Sequence, residues 1–184
     1  MMRRWMIGAL SLLLALTVVG WIFYMPSPAL NTLKPVPAYA QIVYHADAFG
    51  GPILEKFRVS KPWKSHPGFF QTLEKCPLSV AVAPFGGRDR RDTWVAVSAL
   101  GPRAVFLRWR LAFAPPKGVK QLHSYGAWPV WEYSDSSLPA WMRIRFSVSE
   151  GLLICSISDD SHDINYLLDT LDGRRPSAEQ KDEQ

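Results

Sequence analysis

Residues 141–158, WMRIRFSVSEGLLICSIS, decide the fold. Met142, Ile144, Phe146 and Val148 alternate with Trp141, Arg143, Arg145, Ser147 and Ser149, the period of two expected of a strand with one buried face. Glu150-Gly151 interrupts the pattern, and LLICSIS resumes it as a second strand. Upstream, VKQLHSY (119–125) and AWPVWEY (127–133) have the same short, strand-like character, separated by turn residues, so the second half of the chain reads as a meander.

Working outward, LSVAVAP (78–84) and TWVAVSAL (93–100) read as an antiparallel pair joined by the glycine- and charge-rich turn FGGRDRRD, and QIVYHA (41–46) as the first strand. Short helices are expected near 52–57 and 68–75. RAVFLRWRLAF (103–113) is ambiguous: its apolar residues alternate as in a strand, while Leu107 and Leu111 sit at helical spacing and Gly101-Pro102 suits a helix start. At 161–171 a helix is expected from Ile164, Leu167, Leu168 and Leu171, with Ser158 to Ser161 able to accept from its first amides and Gly173 as its stop. The expected class is α+β: an antiparallel sheet of five to seven strands with helices packed on one face, preceded by a single transmembrane helix.

That last element rests on WMIGALSLLLALTVVGWIFYM (5–25), an uncharged run whose helix would rise roughly 31 Å, close to the hydrocarbon thickness of a bilayer. Arg3 and Arg4 precede it and no Lys or Arg follows until Lys34, which orients the start of the chain inward. A cleaved leader ending at Ala38-Tyr39-Ala40 is the competing reading. The expected organisation is a cytoplasmic N-terminus (1–4), a transmembrane anchor (5–25), a proline-rich stalk (26–40), an extracytoplasmic α+β domain (41–173) and a disordered tail (174–184). The expected location is the bacterial inner membrane, single-pass, with the domain in the periplasm or outside.

The 184 residues include 21 Lys+Arg against 16 Asp+Glu, two cysteines, 48% hydrophobic and 20% charged residues, which excludes a disulfide scaffold and a polar disordered chain. Arg3 and Arg4 supply two of the formal +5, and the basic residues of the 85–92 turn are interleaved with acids, so no nucleic-acid groove is indicated. His45, His66, His123 and His162 show no metal spacing, and DDSHD (159–163) has sufficient reason as the first turn of a helix. Phosphate-loop, dinucleotide and serine-elbow motifs are missing from the sequence. No catalytic, cofactor-binding or metal-ligating residue is assigned, and no cofactor is expected.

Cys76 and Cys155 allow either one disulfide or two buried thiols. Of the six tryptophans beyond residue 25, Trp94 is expected in the core. Trp141 shares its strand face with Arg143 and Arg145, a composition enriched in protein contacts. Arg88, Arg90 and Arg91 in the 85–92 turn are further interface candidates. The functional expectation is a membrane-anchored, extracytoplasmic accessory or assembly subunit, with the bilayer and proteins of a membrane complex as partners. The alternative is a periplasmic domain binding a lipid, glycan or small molecule in a pocket between sheet and helices, and an unmarked hydrolase comes third.

Overall fold

A computed structural model describes residues 2–24, 30–50, 55, 67–85 and 91–181. Its elements are α1 (Met2–Tyr24), β1 (Gln41–Ala46), α2 (Pro67–Leu73), β2 (Leu78–Ala83), β3 (Thr93–Ala99), α3 (Arg103–Phe113), β4 (Val119–Gln121), β5 (Val130–Tyr133), β6 (Arg143–Ser149), β7 (Leu152–Ser158), α4 (Asp163–Leu171) and a closing 3-10 turn (Glu179–Lys181). The seven strands form one antiparallel sheet in the order β1-β2-β3-β7-β6-β5-β4. The α+β class and the strand positions agree with the sequence pattern. The helix expected at 52–57 lies outside the described residues apart from Glu55.

The β6–β7 hairpin turns on two residues, Glu150 (φ 48°) and Gly151 (φ 80°). Positive φ at both central positions is the turn geometry whose twist matches that of the flanking strands. The Gly151 carbonyl accepts the amides of Leu100 (2.8 Å) and Gly101 (2.9 Å), which draws the chain off the sheet directly after β3. Gly101 is itself left-handed (φ 55°), so α3 starts where a further strand would have begun. Ala104, Leu107 and Leu111 of α3 are buried while Val105, Trp109 and Phe113 are exposed, a helical rather than an alternating distribution.

Each helix layer packs on one face. On one pleat Ala81, Ala83, Val95, Val97, Ile154 and Val130 meet Ile164, Leu167, Leu168 and Leu171 of α4. The alternate residues of the central strands, Leu153, Val148, Phe146 and Trp131, meet Ala104, Leu107 and Leu111 of α3 and Leu73 of α2. Trp94 is not core: it is 48% exposed. It lies on the α3 side of the sheet opposite Ile157, beyond the cluster that α3 covers.

The expected stalk and tail are both parts of the fold where they are described. Leu33, Pro35, Val36 and Pro37 are buried, and Ser177 and Ala178 are buried with them. Pro37 and Ser177 form a β-bridge, the Ala178 amide donates to Val36 O (2.7 Å), and the Ala38 amide donates to Pro176 O (3.1 Å). The prolines that suggested an extended spacer instead set tight turns (residues 32–35 and 38–39) around Val36, whose side chain joins the α4 cluster.

The membrane anchor is also corrected. Among the described residues no helix is long and apolar enough to cross a membrane. With the anchor go the single-pass inner-membrane location and the bilayer as a partner. α1 runs beside α3.

Removal of residues 176–184 tests the clasp between the two ends. The truncated chain is expected to lose about 2 kcal/mol in urea unfolding, from two backbone hydrogen bonds and the buried Ala178. An unchanged midpoint would show that the tail adds nothing to the fold.

Candidate functional site

Residues 84–85, 91–92, 134–142 and 159–162 gather at one end of the sheet, where β2, β5 and β7 finish and β3 and β6 begin. Loops carried on a rigid sheet are where binding groups are usually presented. The pairing register puts Arg143 opposite Ser158 and Arg145 opposite both Ser156 and Glu132, all on the pleat that α4 partly covers. At this corner the core gives way to charge.

Glu132 is 8% exposed. Arg145 grips one of its oxygens, Nε to Oε2 at 2.9 Å and Nη2 to Oε2 at 2.8 Å, while Lys120 Nζ reaches Oε1 at 3.0 Å. Burial pushes the Glu132 carboxyl up, but the hydrogen bonds and charges of Lys120 and Arg145 outweigh it, so the group stays below its ordinary range. The remaining Arg145 nitrogen, Nη1, donates to the carbonyl of Ser161 and ties β6 to the loop that leads into α4. That loop is held by Asp160, whose Oδ1 accepts the His162 amide (2.7 Å) and faces His162 Nδ1 (3.0 Å).

Two open recesses flank Arg143. The larger, about 550 Å³, is lined by Arg143, Arg145, Asp159, Asp160, Ser161 and His162. The smaller, about 210 Å³, runs from Glu132–Asp135 across Leu138–Ala140 to Met142 and Arg143. Trp141, 37% exposed, stands in the chain between Ala140 and Met142 of the smaller recess. The Arg91 guanidinium lies over its ring, 4.1 Å from the centroid.

The sequence candidates therefore divide. Trp141, Arg143, Arg145 and Arg91 come together at this end of the sheet, whereas Arg88 and Arg90 lie outside the described residues. Arg145 is largely committed to Glu132 and Ser161. Sequence reasoning missed Glu132, Asp160 and Lys120 as members of the same corner. Trp94, on the opposite pleat, does not belong to it. Cys76 and Cys155 are free thiols, so the disulfide that the sequence allowed is not formed. Cys76 Sγ has its own partners, Thr72 O (3.4 Å) and Arg103 Nη1 (3.0 Å), and burial pushes the Cys155 thiol up to about 12.

Among the described residues two histidines reach hydroxyl or carboxylate groups, and neither assembles a nucleophile. Ser161 Oγ (3.2 Å) and Asp160 Oδ1 (3.0 Å) both face the same His162 nitrogen, Nδ1, whereas serine activation needs the carboxylate on one ring nitrogen and the hydroxyl on the other. His45 Nδ1 lies 2.8 Å from Ser79 Oγ, but Ser79 is 1% exposed and shares its hydroxyl with Thr32 at 2.5 Å. That contact satisfies buried hydroxyls beneath strand β1. Among the described residues no group of three His, Cys, Asp or Glu side chains could hold a metal ion.

Set against known proteins, the chain matches no family model, no curated sequence and no solved structure. The chemistry of the site therefore stands on its geometry.

Two measurements check this arrangement. Arg145→Ala leaves a buried carboxylate with Lys120 as its remaining cation, and a loss of about 3 kcal/mol is expected, while Glu132→Gln with Arg145→Ala costs less than the two single losses added. The Glu132 contribution is present above the unfolded carboxylate pKa of about 4.3 and disappears as pH falls through the lower folded value. Acid unfolding of Glu132→Gln should lack that component; identical pH profiles would contradict the pairing. Separately, native protein at pH 8 should leave Cys155 unmodified by iodoacetamide, with alkylation appearing only on unfolding.

Proposed function

We propose that this chain is a non-catalytic binding domain that takes a stretch of a saccharide chain across the Arg143 recesses. The observation that carries the reading is the lining of the larger recess: two arginines, two aspartates, a serine and a histidine, open to solvent along its length. A lipid site requires apolar walls, and a site for a small molecule encloses most of its ligand. This recess does neither. Its balanced donors and acceptors suit a hydroxyl-rich ligand, and its openness suits a polymer that continues past the protein. Trp141 adds a flat apolar surface against which the C–H face of a sugar ring can lie.

The anchored accessory subunit expected from the sequence loses its anchor, as described above, and is set aside. The pocket expected between sheet and helices is replaced too, because the recesses found lie at the sheet end, on its surface. A second reading has support from one observation. The Arg91–Trp141 pair combines the residue types that most often anchor protein interfaces, so the same end of the sheet would serve as a contact for a protein partner.

An array of immobilised oligosaccharides separates the two. The intact chain is expected to retain specific saccharides, with Trp141→Ala weakening retention about tenfold at an unchanged melting temperature, as loss of one well-placed aromatic contact would. Failure to bind any saccharide, with Trp141→Ala instead disrupting a complex with a copurifying protein, would favour the protein contact.

A further inference from the structure

Resting on the saccharide reading, we propose that Arg143 makes the groove selective for sugars that carry a carboxylate. The proposal comes from how the charges at this corner are shared. Arg145 and Lys120 both pair with Glu132, and His162 Nδ1 faces Asp160. Arg91 lies on Trp141. Among the described residues, no carboxylate forms an ion pair with Arg143, although this side chain walls both recesses.

Its position is fixed from below. Arg143 is the first residue of β6 and is paired in register with Ser158, at the end of β7. Two residues further on, Arg145 is clamped between Glu132 and the Ser161 carbonyl, so the strand carrying Arg143 is held at both the backbone and the adjacent side chain of the same pleat. Of the two aspartates that line the larger recess with Arg143, Asp160 is engaged by the amide and ring of His162. Arg143 is thus a guanidinium common to both recesses and without an ion pair among the described residues.

A guanidinium presents two parallel N–H groups at the spacing of carboxylate oxygens, which a hydroxyl cannot match. A sugar acid lying along the groove would place its ring toward Trp141 and its carboxylate on Arg143. The rest of the lining, with Asp159, Asp160 and Ser161 as acceptors, would read hydroxyls. Selectivity thus has a separate source from general saccharide affinity, and the two can be tested apart.

The test uses the full chain, titrated calorimetrically with matched pairs: trigalacturonate and its methyl ester, and sialyllactose and lactose. The acid member of at least one pair is expected to bind about tenfold tighter than its uncharged counterpart at low salt, with the difference shrinking as salt rises. Arg143→Gln should abolish the difference between acid and uncharged members, and Arg143→Lys should restore part of it. Equal binding of acid and uncharged members, insensitive to Arg143→Gln, would overturn the carboxylate selectivity and leave saccharide binding intact. Equally tight binding of polyglutamate would overturn it as well, by reducing it to general attraction of anions. No binding of these probes or of any saccharide on the array would instead overturn the underlying reading.

Discussion

The sheet's central strands are buried on both faces, and that requirement organises the rest of the molecule. On β7, Leu152, Leu153 and Ile154 are consecutive and each is at most 5% exposed, so residues pointing in opposite directions must all be covered. A sheet with one solvated face would need a single helical layer. Here α4 covers the pleat of Leu152 and Ile154, and α3 covers the pleat of Leu153. Two roofs on a seven-stranded sheet are expensive for a chain of this size, and the ends of the chain are recruited to complete one of them. Val36 and Ala178 both fill the α4 side, joined by the bridge between Pro37 and Ser177.

The roofs do not reach every corner, and where α4 begins the sheet changes character. Cross-strand neighbours on the uncovered part of that pleat are Lys120, Glu132 and Arg145 rather than valines and alanines. A carboxylate so little exposed is costly unless its charge is met, and two cations from the neighbouring strands meet it. The same guanidinium then hydrogen-bonds the loop that begins α4. One pairing thus joins β4, β5, β6 and the roof, and it holds a polar surface rigid enough to present Arg143. Stability and recognition share this corner, and the distinction between them lies in which charges are already spent.

Period-two alternation was enough to locate the strands, because a strand with a buried face cannot shift by one residue without turning its apolar side chains outward. What could not be read were features set by distant parts of the chain. The stretch 103–113 alternates as a strand would, and its helical state follows from the Gly151 carbonyl capturing the amides of Leu100 and Gly101, residues some 50 positions away in the sequence. Trp94 lies in an apolar strand, yet its exposure depends on where α3 stops. Residues 30–40 carry both prolines and the apolar pair Leu33 and Val36, and the prolines alone suggest a spacer where the apolar pair suggests a packed turn. The counterpart signal, Ala178 in an otherwise polar tail, was too small to suggest a clasp.

The candidate groove was half legible for a related reason. Trp141, Arg143 and Arg145 share a face by local periodicity, so they could be grouped from five residues of sequence. Their partners could not, because the register that sets Glu132 against Arg145 depends on the length and path of the intervening loop. Once that register is known, the two arginines cease to be equivalent: Arg145 is a bracing side chain with its charge neutralised, and Arg143, two residues away on the same pleat, retains its charge at the junction of the recesses. A period-two pattern assigns both to one surface, but only the pairing across the sheet separates the side chain that builds the surface from the one left to recognise something with it.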